Sequence, residues 1–258
     1  MRKRTIIFLV LLLLLLAGAS VYGFFLLFRD SGDHAAGNSN YRAVPVDAVL
    51  VQHFSGLNTL TGEVLTPGSY LESLFHPEQE TQAFLAELTA FLTAAYPGMA
   101  QAETLCSLHP SAKNTLAALF CISGEKAQDP QWWDNFLGKS LLSFKTRSYN
   151  GQTIYQAGGE ESDHSVYASC VNDLLMVSSS LVVLESSLRH LGNGSSLADD
   201  PSFARLVEQT PVSKPTRIFI PHQGIPSMFA AYLGMPLQKY AAFVRSAARW
   251  TVLDGFIS

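Results

Sequence analysis

The densest group of residues that could bind a metal ion lies at residues 160–164, which hold three carboxylates and a histidine. The segment falls between two predicted strands, where polar loop residues are expected. A calcium site would normally space its oxygen ligands more regularly. We therefore predict a solvated loop, with no metal ion and no cofactor.

The other side chains capable of chemistry form no recognisable motif. The sequence contains no G-x-S-x-G elbow, no phosphate-binding G-x-x-x-x-G-K-[ST] loop, no H-E-x-x-H helix and no C-x-x-C pair. His53, His109 and His222 lie in or beside predicted strands without a neighbouring acid, which favours structural roles. The serines at 178–180 fit a strand end and a helix cap. No catalytic residue is predicted.

Two adjacent tryptophans, Trp132 and Trp133, are candidates for an interaction surface that would present an aromatic platform to a glycan or a protein. Core packing is the favoured interpretation, because large aromatic side chains are mostly buried. A helix can bury only one of two adjacent residues fully. We therefore expect one ring to pack and the other to be partly exposed.

Three cysteines are too few and too widely spaced for a disulfide scaffold or a zinc site. A weak hairpin signal around residues 103–123 could bring Cys106 and Cys121 together as a disulfide, although the register is open. Cys170 alternates onto an apolar strand face, which predicts a buried, unreactive thiol.

The strongest signal concerns the membrane. Residues 5–28 carry no charge and follow Arg2, Lys3 and Arg4. As a helix they would be roughly 36 Å long, enough to cross a bilayer. The basic residues place the N-terminus in the cytoplasm and the body outside it, in the periplasm or extracellular space. A cleaved signal peptide is the alternative, but the apolar run continues past the small residues at 17–19.

The domain boundaries follow from this anchor. Residues 1–4 are a cytoplasmic basic stub, residues 5–28 the transmembrane signal anchor, residues 29–42 a flexible linker rich in small polar residues, and residues 43–258 the ectodomain. Of 17 basic residues, 14 lie beyond the stub against 21 acidic ones, which leaves a charge of −7. An acidic body without a basic stripe argues against a nucleic-acid partner.

Local patterns predict a mixed ectodomain. Helices are expected after Pro77, Pro130 and Pro201, where proline begins a helical turn, and after Ser180 as a cap. Asn150-Gly151 predicts a hairpin that pairs Phe144 with Ala157, with one apolar face and one mostly wet face. Asn172-Asp173 predicts a second hairpin that is apolar on both faces. Further strands are expected at residues 48–54, 217–220 and 250–257. The fold class is α+β, with a predominantly antiparallel sheet and packed helices.

The layout resembles a family of uncharacterised envelope proteins of Gram-negative bacteria, a domain of unknown function with an N-terminal membrane anchor. The matching segments are residues 44–48 (VPVDA), 149–155 (YNGQTIY), 175–180 (LMVSSS) and 200–203 (DPSF). The likeness spans most of residues 43–258 and implies an envelope location without an active site. It also implies a longer ectodomain, so that the strand at 250–257 is expected to be an edge strand of a truncated chain.

Two classes of function remain open. The first is a non-enzymatic binding or structural ectodomain on the membrane, with an envelope protein or glycan as partner. The second is an anchored hydrolase or sugar-active enzyme whose site is assembled from distant residues. A deep cleft with convergent carboxylates or a Ser–His pair would favour the second class, and a shallow surface would favour the first.

Overall fold

A computed structural model describes residues 38–64, 66, 79–112, 115–123, 130–140, 142–158, 165–193, 196–210, 216–232 and 238–255. Apart from Asn38, the described residues belong to one compact unit, Ser39–Ser258. The predicted anchor and the acidic segment at 160–164 lie outside the described residues. Within them, no helix is both long and apolar enough to span a bilayer.

Eight α-helices are assigned in the described residues. They are α1 (Asn38–Tyr41), α2 (Leu57–Val64), α3 (Gln79–Ala95), α4 (Pro130–Lys139), α5 (Leu181–Asn193), α6 (Pro201–Gln209), α7 (Ile225–Tyr232) and α8 (Gln238–Ala247). Short 3₁₀ turns follow α3 and β8 and precede α6. The predicted helices correspond to α3, α4, α5 and α6.

The strands in the same residues are β1 (Leu50–Phe54), β2 (Thr104–Ala112), β3 (Thr115–Ser123), β4 (Phe144–Tyr149), β5 (Gln152–Ala157), β6 (Val166–Val171), β7 (Leu174–Ser178), β8 (Thr216–Pro221) and β9 (Trp250–Gly255). They form one sheet in the order β4-β5-β6-β7-β3-β2-β1-β8-β9. Every pairing is antiparallel. The chain is therefore α+β with a large antiparallel sheet, as predicted.

Helices cover both faces of this sheet. On face A, the side that carries Phe54, Phe120 and Val177, the core is completed by α2, α3 and α4, with α7 packed against it. On face B, the side that carries Val51, Leu119 and Met176, it is completed by α1, α5 and α6. Strands covered on both sides need apolar residues at consecutive positions rather than alternating ones. This explains the consecutive apolar residues at positions 116–122 of β3 and 174–177 of β7.

The two predicted hairpins form with the expected turns. Phe144 pairs with Ala157 across β4 and β5, and Asn150 and Gly151 in their turn have φ of 49° and 76°. Asn172 has φ of 56° in the turn between β6 and β7. The expectation of a mostly wet face on the first hairpin is wrong at Ile154, which is fully buried on face B.

The folded body begins before residue 43. Asn38–Tyr41, predicted to belong to the linker, form α1, and both Asn40 and Tyr41 are buried. The Tyr41 ring lies 5.0 Å from that of Phe203 and 6.1 Å from that of Phe219. Small polar residues gave this segment a linker composition, but the single aromatic side chain docks it on face B.

Candidate functional site

A serine, a histidine and an aspartate form a hydrogen-bonded row on face B. Ser107 and His109 are two positions apart on β2, so their side chains point to the same side of the sheet. Nδ1 of His109 donates to Oδ1 of Asp47 at 2.9 Å, and Nε2 lies 2.8 Å from Oγ of Ser107. This order of carboxylate, imidazole and hydroxyl is the one that activates a serine nucleophile in hydrolases.

The accessibility of the row is the reverse of what catalysis requires. Ser107 is 0% exposed and His109 1%, whereas the Asp47 side chain is 58% exposed. Ser107 sits in the ladder between Val51 and Leu119, both of them core residues of face B. A substrate carbonyl has no path to the Ser107 hydroxyl in this conformation.

A structural role accounts for the same contacts. The row gives the buried hydroxyl and imidazole hydrogen-bond partners, and it fastens the segment before β1 to β2. Burial acts to raise the pKa of Asp47, but the hydrogen bond and the positive charge of His109 together hold that pKa below its ordinary value. The interaction therefore favours an ionised Asp47 at neutral pH.

A second cluster of polar side chains lies on face B. His53 Nε2 donates to Oε1 of Glu103 at 2.6 Å. His53 pairs with Arg217 across β1 and β8, and Arg217 pairs with Asp254 across β8 and β9. The Arg217 guanidinium donates to Asp254 from Nε to Oδ1 at 2.5 Å and from Nη2 to Oδ2 at 2.9 Å, and from Nη1 to the carbonyl of Thr210. A planar guanidinium suits such a bidentate ion pair.

The basic side chains of this second group are also enclosed. Arg217 is 2% exposed and His53 4%. The Tyr41 ring centroid is 6.3 Å from that of His53. Burial, together with the negative charge of Glu103, raises the pKa of the Tyr41 hydroxyl well above its usual value, so Tyr41 stays neutral. The side chains of this group connect α1, β1, β8 and β9 to one another, and we assign them a structural role rather than a role in ligand binding.

Both tryptophans proposed as an interaction surface are buried. Trp132 is 1% exposed and Trp133 4%, so the expected partial exposure of one ring does not occur. The reason is that α4 is covered from two directions. Trp133 packs edge-on against Tyr155 of β5 at 5.2 Å, while Phe136 meets Phe84 of α3 at 5.8 Å.

The cysteine pair is separated by the register of the hairpin that carries it. Cys106 pairs with Phe120, and Cys121 pairs with Leu105. The two side chains therefore point to opposite faces of the sheet, and both thiols are free in the structure. Side chains that point apart cannot be bridged without moving the backbone. The disulfide considered from the sequence is not formed.

Burial makes the thiols poor nucleophiles. It raises the pKa of Cys106 and Cys121 well above the ordinary value. It also raises the pKa of Cys170 to about 11, with a smaller contribution from the charge of Asp173. Cys170 is half-buried against the face A core, close to the sequence prediction. A thiol with so high a pKa holds little of the reactive thiolate at neutral pH.

An open cleft lies at the β8–β9 end of the sheet. Its volume is about 320 Å³, and its lining includes Asp200, Gln223, Arg245, Arg249 and Trp250. Arg245 lies in the last turn of α8, and Arg249 and Trp250 lead into β9. Within the described part of the chain, no group of three or more His, Cys, Asp or Glu side chains could hold a metal ion, here or elsewhere.

Asp200 organises one wall of this cleft. It is the N-cap of α6, where Oδ1 accepts from the backbone N–H groups of Ser202 and Phe203. Nη2 of Arg249 donates to both carboxylate oxygens of Asp200 at 3.2 Å. Nε1 of Trp250 donates to Oγ of Ser202 at 3.0 Å. Burial acts to raise the pKa of Asp200, but the hydrogen bonds from Ser202 and Phe203 and the charge of Arg249 lower it overall.

Sequence reasoning missed both the row and the cleft. Ser107-Leu108-His109 alternates within a strand, which signals a shared face, but Asp47 is distant in sequence and no local pattern points to it. The cleft combines residues from α6, the turn after β8, α8 and β9. Asp200-Pro201 was recognised only as a helix start.

Comparison with known proteins adds no assignment. No protein-family model matches the chain, and neither a curated protein nor a solved structure is significantly similar to it.

Proposed function

We propose that this chain is a membrane-anchored envelope protein whose ectodomain binds a partner or an envelope component and does not catalyse a reaction. The observation that carries the proposal is the contrast between two sites. The Ser107 hydroxyl, which has the partners of a nucleophile, is sealed in the core of face B. The cleft beside Arg249 is open, but guanidinium, amide and indole groups line it, and these bind ligands rather than attack them, while its carboxylate, Asp200, is held by the start of α6 and by Arg249.

The anchoring part of the proposal is supported by the sequence. The uncharged stretch at residues 5–28 has spanning length, and the basic residues before it orient the chain. We propose that the body faces the periplasm of a Gram-negative cell, in agreement with the family resemblance. A tethered domain at a membrane meets its partners at a raised effective concentration, which suits a binding role.

Protease added to intact spheroplasts tests this location. We expect it to degrade the body of the protein and to leave a membrane-bound N-terminal fragment. A cytoplasmic marker protein should survive the same treatment, which controls for lysis. A body that stays protected, or a mature N-terminus at Ser20, would overturn the retained anchor.

The competing function is an anchored serine hydrolase, and the Ser107–His109–Asp47 row is the observation that favours it. A fluorophosphonate probe separates the two functions, because it reacts covalently with activated serines. We expect no labelling of the full-length chain in detergent, and the same result for Ser107→Ala. A known serine hydrolase in the same detergent provides the positive control. Stoichiometric labelling that Ser107→Ala abolishes would establish the hydrolase.

A further inference from the structure

We propose that the cleft between Arg245 and Arg249 is a binding site for an oxyanion, a carboxylate or phosphate group carried by the ligand. This inference rests on the proposed binding function and names the chemistry of its ligand. The cleft is open to solvent and has a volume of about 320 Å³, enough for one anionic group and a small part of the molecule that carries it.

Arg249 is held in place while most of its donors stay uncommitted. A guanidinium has five N–H donors. The contacts of Arg249 with Asp200 use Nη2 alone, which leaves donors on Nη1 and Nε. Its side chain is 70% exposed. An arginine that is oriented by one carboxylate and still exposed can bind a second oxyanion with little loss of side-chain entropy.

Asp200 cancels only part of the positive charge of the two arginines at the ligand position. Its oxygens already accept from two backbone N–H groups at the start of α6, from the Ser202 hydroxyl and from Arg249. Arg245 supplies the second guanidinium, which has no ion pair among the described residues. Two arginines against one committed carboxylate leave a local positive charge on a body whose charge is −7. Such a local excess attracts anions.

The other residues that line the cleft indicate the chemistry of the rest of the ligand. Gln223, whose side chain is exposed, supplies an amide. Trp250 is half-buried and presents indole surface, while its N–H is held by Ser202. A flat apolar wall beside two guanidinium groups suits an oxyanion attached to a sugar ring or a short aliphatic chain.

The location of Arg245 has a simpler partial explanation, since a cation in the last turn of a helix interacts favourably with the helix dipole. That explanation predicts a small effect of Arg245→Gln on stability and no effect on anion binding. It also leaves unexplained why Arg249, which lies outside α8, converges on the same cleft.

Anion titration followed by NMR tests the site. The chain has three tryptophans, so ¹⁵N-tryptophan labelling of the full-length chain in zwitterionic detergent gives three indole signals, and Trp250→Phe assigns one of them. We expect inorganic phosphate and acetate, at constant ionic strength, to shift the Trp250 signal saturably and to leave those of Trp132 and Trp133 unmoved.

Variants at the two arginines give the decisive comparison. Arg245→Gln and Arg249→Gln should each weaken binding roughly tenfold, the usual effect of losing one charge-assisted contact. Arg205→Gln, an exposed arginine of α6 outside the cleft lining, is the matched control and should bind as the parent does. Arg249→Gln removes a contact of Asp200, the N-cap of α6, whereas Arg245→Gln leaves that cap unchanged. Weaker anion binding in Arg245→Gln would therefore not be explained by damage to the cap.

The possible outcomes distinguish two sources of the anion. They also test the anion site separately from the proposed binding function. A saturable shift in nanodiscs with phosphatidylglycerol, but not in those with phosphatidylcholine, would identify a lipid headgroup as the source. Equal shifts in all variants, or no saturable shift with phosphate, acetate or anionic lipid, would overturn the site. The anchored binding role would survive that result, because protease accessibility and serine labelling test it independently.

Discussion

Replacing Trp132 with alanine is expected to lower the free energy of unfolding by about 3–5 kcal/mol, the usual cost of truncating a buried tryptophan. Trp132 is 1% exposed, and its ring lies 5.2 Å from that of Trp133. Removal of the indole leaves a cavity between α4 and the sheet that the surrounding aromatic rings cannot fill without moving. Urea unfolding of the full-length chain in detergent, followed by circular dichroism, measures the change.

Two further variants serve as controls for this prediction. Trp132→Phe keeps an aromatic ring and should cost clearly less than the alanine variant. Phe243→Ala removes a ring that is 78% exposed on α8 and should change stability by less than about 0.5 kcal/mol. If Trp132→Ala were as stable as the parent, α4 would not be docked on face A, and the tryptophan pair would again be available as a surface.

Replacing Arg217 with alanine is expected to cost about 3 kcal/mol. The change removes a buried guanidinium that holds Asp254 and the Thr210 carbonyl. The cost arises on the Arg217 side, because loss of this enclosed side chain leaves a cavity and takes a donor from the Thr210 carbonyl, whereas the Asp254 side chain is 36% exposed and can be hydrated.

Arg147 provides the matched control for this second prediction. It forms an ion pair with Glu185 at 3.2 Å, but its side chain is 46% exposed. Arg147→Ala should cost less than about 0.5 kcal/mol, as is typical of exposed ion pairs. Equal costs for the two arginine variants in urea unfolding would show that the Arg217 group is solvated and that burial does not set its strength.

The parts of the fold that could be predicted are those governed by neighbours in sequence. Asn150-Gly151 fixes both the turn and the register of β4 with β5, because a two-residue turn leaves no freedom in pairing. Proline and aspartate at 200–201 begin α6 where expected. α7 was missed, since its apolar sequence (IPSMFAAY) lacks the helical period of a helix with one polar face.

The parts that could not be predicted depend on distant segments. Leu119 pairs with Ser178 where β3 meets β7, and this contact joins two meanders into one sheet without a local signal. The offset of one residue that separates Cys106 from Cys121 likewise depends on the register of β2 with β3. A shift by one position moves a side chain to the other face, so an uncertain register leaves the disulfide undecided.

The candidate site was hidden for the same reason. His109 was interpreted as structural because no acid lies near it in the sequence, yet Asp47 is its partner in space. The structural interpretation holds because of burial, and burial is also a tertiary property. The cleft at Arg249 depends on four separate segments, and each of them taken alone has an ordinary explanation as a cap, a turn or a helix end.

The position of β1 in the sheet has a consequence for the order of folding. β1 is hydrogen-bonded on one side to β2, the next strand along the chain, and on the other side to β8, where Val51 pairs with Phe219. During synthesis β1 leaves the ribosome long before β8, and one row of its backbone groups stays unpaired until β8 has been made. Closing so long a loop costs entropy that only the final contacts repay. Among the described strands, β8 and β9 are thus the last to join the sheet, and until then the edge of β1 is open to pairing with another chain.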